Sequence, residues 1–246
     1  MEKLEKRYQI RSYECDRFGL LRIVTLMNIL QDAADLSATS LGFGFDFCIQ
    51  NKLAWVGTNY CIDIKKMPKM HDIIQVQTWP SGENKFMALR DFTITNDKGE
   101  PIILATSQWV LVDALKKRPV SLGQYLPEFM YINERALDAE FAKLPEFERV
   151  DFSKTFEARF DDIDLNVHVN NAIYPLWASE SMNEDFHAKY IPSKVEISFK
   201  KECLCSQEVI VQTNLENLIT NHSIKLTDDG KECAKIRITW QKRPAA

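Results

Sequence analysis

The chain has 246 residues, of which 45% are hydrophobic and 27% charged, a balance that suits a globular protein able to bury a sizeable core. Its net charge of −4 argues against nucleic-acid binding. No apolar run approaches the roughly 18 residues that a bilayer span needs, and the N-terminal stretch MEKLEKRYQIRSYECD has neither the apolar core of a signal peptide nor the Ser/Arg richness of a transit peptide.

Residues 8–14 read as a strand. Leu26, Leu30, Ala33 and Ser37, with Ile29, Ala34 and Leu41 beside them, form a helical stripe that ends near Gly42 and Gly44. Strand-like runs follow at 53–64, 72–79, 86–96 and 101–113, the last two separated by the turn Asn96-Asp97-Lys98-Gly99. Residues 119–150, with Pro119, Pro127 and Pro145 and many charges, read as a connector with one short helix near 133–143. The same order then returns: a strand at 154–160, a helix over about 171–190 with Pro175 in its first turn, and strands at 194–200, 208–215, 221–226 and 232–241. The turn Asp228-Asp229-Gly230 joins the last pair.

The repeat is visible residue by residue. Lys65-Lys66 and Lys200-Lys201 are offset by 135 positions, as are Val76-Gln77-Thr78 and Val211-Gln212-Thr213. Gly99 and Gly230 are offset by 131, as are Trp109 and Trp240, and Asp16 precedes Asp164 by 148. A run of matches in one order argues for an internal duplication. Each half is then a strand, a long helix and an antiparallel meander. Wrapping such a helix in a curved antiparallel sheet is the natural way to bury it, which gives an α+β chain of two similar units. The boundaries fall at 1–126 for the first domain, 127–150 for the linker and 151–246 for the second.

The six cysteines, at 15, 48, 61, 203, 205 and 233, show no disulfide framework and mostly sit in apolar runs, as reduced thiols in a cytosol-like compartment would. Cys203 and Cys205 have no second Cys/His pair at zinc spacing, so no metal is expected.

Aligning the halves at Asp16 and Asp164 exposes an asymmetry. The first reads Asp16-Arg17-Phe18-Gly19-Leu20, the second Asp164-Leu165-Asn166-Val167-His168. Met67-Pro68 likewise stands opposite Glu202-Cys203. Polar, chemically capable residues occupy the second half where the first carries apolar ones. Alternate positions of an extended segment point to one face, so Asp164, Asn166 and His168 are expected to project together. A helix beginning at Asn170 or Asn171 would add backbone N–H groups able to stabilise an oxyanion. His168 can act as acid or base near neutral pH, a carboxylate can orient it or help activate water, and Glu202 is the candidate second carboxylate. The same residues also suit an Asx-rich turn that caps a helix, and Cys203 suits a small buried hydrophobe, so both readings stand at this point.

With these residues in view, the chain resembles the acyl-[acyl-carrier-protein] thioesterases of plant plastids and their bacterial relatives. The resemblance rests on IRSYECD (10–16), TLMNILQDAA (25–34), LAWVGTNYCIDI (53–64), IIQVQTW (73–79), LRDFTI (89–94) and ATSQWVLVD (105–113) in the first half. In the second it rests on DIDLNVHVNNAIY (162–174) and FKKEC (199–203). It implies a tandem hot dog fold and hydrolysis of the thioester between a fatty acyl chain and acyl carrier protein, terminating fatty acid synthesis. The family's catalytic set carries over to Asp164, Asn166, His168 and Glu202, with Cys203 as an alternative nucleophile, and Asn170 and Asn171 beside it at the substrate. The first half is expected to hold the acyl chain through Met27, Leu30 and Trp55, with Trp79 a further candidate. No cofactor is implied beyond the phosphopantetheine that the carrier brings. The partners implied are the carrier and the fatty acyl chain, in a monomer or homodimer of the bacterial cytosol. Basic clusters at Lys65, Lys66 and Lys69, at Lys116–Arg118 and at Lys200-Lys201 are candidates for docking an acidic carrier.

Three rivals remain. A coenzyme-A thioesterase would use the same chemistry on another handle. A hydratase of the same fold would carry a His-x-x-x-x-Pro-Gly arrangement, which does not follow His168. A non-catalytic acyl-carrier binding module would be indifferent to loss of Glu202 or His168.

Overall fold

The computed structural model describes residues 2–84, 86–126, 131–141 and 143–244. Pro127 and its neighbours through 130, and position 142, all in the expected linker, lie outside the described residues. The chain divides into two compact units, Met1–Glu140 and Phe141–Ala246.

The first unit opens with β1 (Leu4–Gln9) and a single 3-10 turn at Ser12–Glu14. The expected strand at 8–14 is thus displaced towards the N-terminus. The Glu14 carboxylate accepts the Arg11 backbone N–H at 2.7 Å and closes the chain into the turn. Helix α1 (Ile23–Ser40) follows, then the short α2 (Phe45–Asn51). Leu26, Met27, Leu30 and Ala33 of α1 are fully buried, and each of the larger three contributes about 1.5–3 kcal/mol of transfer free energy. Strands β2 (Leu53–Ile64), β3 (Ile73–Glu83), β4 (Met87–Thr95) and β5 (Pro101–Asp113) complete the antiparallel sheet, in the order β1-β3-β4-β5-β2. Gly99 adopts φ +78° in the β4–β5 turn, a backbone state that favours glycine. The two-residue β6 (Arg118–Pro119) pairs with β5 and leads into α3 (Leu122–Tyr125).

Residues 131–141 form no helix. Their polar groups go to the sheet instead: Arg135 Nε donates to Asp91 Oδ2 at 2.9 Å, the Ala136 N–H donates to Asp91 Oδ1 at 2.9 Å, and Trp79 Nε1 donates to the Glu134 carbonyl at 2.8 Å. Asp91 is fully buried, so these donors satisfy a carboxylate that would otherwise be costly there.

The second unit repeats the pattern. Its strands β7 (Phe152–Glu157), β8 (Tyr190–Phe199), β9 (Glu208–Glu216), β10 (Ile219–Leu226) and β11 (Glu232–Lys242) run antiparallel in the order β8-β11-β10-β9-β7. Read from the edge strand, β7-β9-β10-β11-β8 matches β1-β3-β4-β5-β2 position for position. The register agrees as well. Val76 pairs with Ile94 and Val211 with Ile224, while Trp109 pairs with Gly57 and Trp240 with Pro192.

The helix departs from expectation. In place of one helix over 171–190 there are α4 (Ile173–Glu180) and α5 (Glu184–Lys189). Asn183 causes the break: its side chain accepts the Phe186 N–H at 2.9 Å and caps a new helix. Helix α5 then lays Phe186 edge-on against Trp240, with ring centroids 5.0 Å apart, and His187 at 5.7 Å. Beneath them His222 is fully buried. Its Nδ1 lies 2.8 Å from Thr213 Oγ1 and its Nε2 2.7 Å from Thr220 Oγ1, which also accepts from Trp240 Nε1 at 2.9 Å. Burial pushes the imidazole pKa down to about 3.

Candidate active site

The segment around Asp164 is a turn, not an extended strand. The Asp164 N–H donates to the His168 carbonyl at 3.0 Å, and the Val167 N–H donates to the Asp164 carbonyl at 3.0 Å. Asp164 Oδ1 accepts the Asn166 N–H at 2.8 Å. Alternation therefore does not align Asp164, Asn166 and His168. The closed turn carries all three, and Asp164 and His168 meet across its base. His168 Nδ1 lies 3.8 Å from Asp164 Oδ1 and 3.3 Å from the Val169 carbonyl. Asn166 is exposed at the tip and His168 is half-buried.

The first half builds the same turn. Asp16 N–H donates to the Leu20 carbonyl, Gly19 N–H to the Asp16 carbonyl, and Phe18 N–H to Asp16 Oδ1 at 2.8 Å. A single 3-10 turn precedes each loop, closed by Glu14 on Arg11 and by Asp162 on Arg159. One difference costs energy. Gly19 accepts φ +76° freely, whereas Val167 holds φ +64° with a β-branched side chain, a state worth roughly 1–3 kcal/mol of strain. Such strain is typical of functional loops.

The segment bearing Glu202 is tied to this turn through Cys203. The Cys203 carbonyl accepts the Val169 N–H at 2.8 Å, as Pro68 does for Leu21 in the first half, and the Cys203 N–H donates to the Tyr174 hydroxyl at 3.2 Å. Glu202 is exposed and Cys203 fully buried. Burial, reinforced by Cys233, pushes the Cys203 thiol up to about 12, which disfavours the thiolate that a nucleophile requires. Among the described residues no hydrogen bond links Cys203 to His168.

Asn170 serves the backbone. Its Oδ1 accepts the Ala172 N–H at 2.9 Å, and its carbonyl accepts the Ile173 N–H. Both bonds belong to the turn that leads into α4, whose N-cap, Ala172, receives no side-chain cap, and Asn171 is half-buried.

The first unit holds a cavity of about 110 Å³ between α1 and its own sheet. Ala34, Ala38, Phe43, Trp55, Trp109 and Tyr131 give it an apolar lining, and Gln31, Asp35 and Arg90 add polar groups. Trp55 is held by its Nε1 donating to the Phe43 carbonyl at 3.1 Å, and Trp109 by Nε1 donating to Ser107 Oγ at 2.8 Å. Arg90 is buried and donates to Thr78 Oγ1 at 3.2 Å; burial lowers its pKa to about 10.

Models of two domain families match the chain: the acyl-ACP thioesterase N-terminal domain over residues 1–128 and the acyl-ACP thioesterase C-terminal domain over 146–242. The chain belongs to the acyl-ACP thioesterase family. The chloroplastic palmitoyl-acyl carrier protein thioesterase of Gossypium hirsutum is 31% identical over 268 residues, covering 98% of this chain and 64% of the relative. The chain thus spans a little under two thirds of that relative's length. A Lactobacillus plantarum protein provisionally described as an oleoyl thioesterase shares its structure with a TM-score of 0.85 at 27% identity, covering 99% of this chain and 98% of the other. The 12:0-ACP thioesterase of Umbellularia californica shares the fold with a TM-score of 0.87 at 24% identity, covering 98% and 94%. The fold is the tandem hot dog expected of this family.

Within this thioesterase fold, the expected acyl-site residues stand differently towards the first-unit cavity. Trp55 lines the cavity, but Met27 and Leu30 face the core and are fully buried; the cavity face of α1 is Gln31, Ala34, Asp35 and Ala38. Trp79 is also fully buried and donates to the connector. The face of α1 that lines this cavity is therefore mixed, not the apolar stripe that carries Met27 and Leu30. The basic clusters divide too: Lys200 pairs with Glu232, Lys201 with Asp229 at 3.0 Å and Lys116 with Asp113 at 3.7 Å, while Lys65, Lys66 and Lys69 are exposed. No helix among the described residues is long and apolar enough to cross a membrane.

Proposed function

We propose that this protein hydrolyses fatty acyl thioesters of acyl carrier protein, releasing a free fatty acid and the carrier thiol. One observation carries the reading. The turn that bears Phe18 and Leu20 in the first half bears Asn166 and His168 in the second, beside Glu202.

In this scheme Glu202 takes a proton from water as the water oxygen attacks the thioester carbonyl. The negative charge that develops on the carbonyl oxygen is stabilised by donors around the turn. The intermediate collapses with cleavage of the C–S bond, and the protonated Glu202 returns its proton to the departing sulfur. A proton on His168 Nδ1, facing Asp164 Oδ1 and the Val169 carbonyl, leaves Nε2 as an acceptor that can orient the water. The Asn166 amide, held at the turn tip, is suited to the carbonyl. The reaction draws only on protein groups and needs no cofactor. Cys203 acts as a structural residue, because its thiol is buried and its backbone fastens the Glu202 segment to the turn. The cavity of the first unit holds the acyl chain. All six cysteines are free and five are buried, which suits a reducing cytosol.

The test is hydrolysis of a panel of acyl-carrier and acyl-coenzyme-A thioesters by the wild type, Glu202→Ala and Cys203→Ala. The expectation is a loss of about 10²–10⁴-fold for Glu202→Ala, retention of most activity by Cys203→Ala, and faster turnover on the carrier than on coenzyme A. A dead Cys203→Ala beside an active Glu202→Ala would overturn the water mechanism in favour of an acyl-enzyme.

A further inference from the structure

One wall of the first-unit cavity does not come from the duplicated frame. The helix α1 and the strands β2, β4 and β5 supply most of the lining, and these elements recur in both halves. Tyr131 comes from the connector, outside the repeated elements, and reaches the cavity from there.

Its position is secured on the side chain and on the residues that follow. The Tyr131 hydroxyl hydrogen-bonds the Glu83 carboxylate at the end of β3. The Ile132 N–H donates to the Pro80 carbonyl at 3.1 Å. Arg135 Nη2 donates to Thr106 Oγ1 at 2.9 Å, in addition to the bonds that Arg135 and Ala136 make with Asp91. A ring fixed in this way is a wall and not a mobile cover. The aromatic residues across the cavity are committed elsewhere: Trp55 and Trp109 each donate to the frame of the unit. Changing them would disturb the core, whereas Tyr131 can be exchanged while Arg135 and Ala136 keep their bonds to Asp91.

We propose that Tyr131 is the residue that sets how long an acyl chain this cavity admits, with its ring as the stop. The proposal rests on the reading that the cavity takes the acyl chain. A single methylene in an apolar pocket changes kcat/KM by about 10–200-fold, so one side chain is enough to define a preference.

The experiment is the length profile of kcat/KM on acyl-carrier thioesters for the wild type, Tyr131→Ala, Tyr131→Trp and Tyr131→Phe. Tyr131→Ala should raise the ratio of longer chains to the wild-type optimum by about tenfold or more. Tyr131→Trp should move the optimum to shorter chains. Tyr131→Phe keeps the ring and should keep the profile. A merely structural role would scale all lengths alike, and an unchanged profile in both Tyr131→Ala and Tyr131→Trp would overturn the proposal. Should Tyr131→Ala not fold, Tyr131→Trp and Tyr131→Phe decide the matter. If the wild type turns over no thioester, the functional reading fails separately. Quenching of Trp55 and Trp109 fluorescence by free fatty acids of graded length, in the same variants, then tests the wall by the same criterion.

Discussion

The two halves share strand order, register and even the hydrogen bonds of one turn, yet they have diverged at two places that matter for chemistry. At the turn, Phe18, Gly19 and Leu20 stand where Asn166, Val167 and His168 do. At the helix, the first half keeps eighteen unbroken residues and a cavity, while the second breaks at Asn183 and drops Phe186 and His187 onto Trp240. Trp109, at the matching register, lines the cavity instead. The lesson is that a duplicated frame can specialise without changing its backbone plan. One half has an apolar turn and a cavity lined by Trp109; the other has polar groups at the turn and packs Phe186 and His187 on the matching Trp240.

The sharpest way to break this comparison is to give the second turn the first turn's residue. His168→Leu should lower kcat/KM by about 10²–10⁴-fold with little change in the unfolding midpoint, because His168 is half-buried and its removal orphans no core group. Phe18→Ala, at the first turn, should leave turnover unchanged. Equal losses in both would show that the turns are not specialised.

A smaller effect concerns His222, which occupies the register position of Phe92. Its folded pKa, about 3, lies below the ordinary 6.5. Between those values the unfolded chain binds a proton that the folded chain refuses. Stability therefore falls as pH drops from about 6.5 towards 3, by on the order of 1 kcal/mol per unit from this group, and is unaffected by it at higher pH. Urea unfolding at several pH values should show a steep acid loss in the wild type and a shallower one in His222→Phe. The difference in slope isolates His222, because the two threonine hydroxyls keep other partners: Thr213 Oγ1 with Ser181 Oγ at 2.8 Å and Thr220 Oγ1 with Trp240 Nε1 at 2.9 Å. Parallel slopes would reject the assignment.

The smallest effect belongs to the packing of Phe186 on Trp240. Phe186→Ala should destabilise by about 2 kcal/mol, less than a fully buried Phe because the ring is half-buried, and denaturant unfolding measures it.

Much of the frame was legible in the sequence where local signals and tertiary demands agree. The strands 53–64 and 101–113 end where their turn residues say, and the α1 stripe of Leu26, Leu30, Ala33 and Ser37 is buried as expected. The failures share a cause: a polar side chain claims a backbone group that periodicity assigns elsewhere. Glu14 takes the Arg11 N–H and ends a strand early, Asn183 takes the Phe186 N–H and splits a helix, and Asp91 takes the Ala136 N–H from a segment that reads as helical. The candidate site stands out on comparing the halves, not on spacing. Alternate positions suggested a shared face, whereas a five-residue turn brings Asp164 and His168 together. The cavity was half legible: Trp55 was visible, but Tyr131 gave no signal in a proline-rich connector.

The attachment of that connector bears on how the protein could be recombined. Arg135 and Ala136 supply donors to a carboxylate with no access to water. A hybrid spliced at residue 126 would import foreign residues beneath Asp91 and strand that charge. One spliced after residue 140 would carry the native donors along. For exchanging halves between relatives, the boundary of the repeat at residue 126 and the boundary of the compact unit at residue 140 are different places.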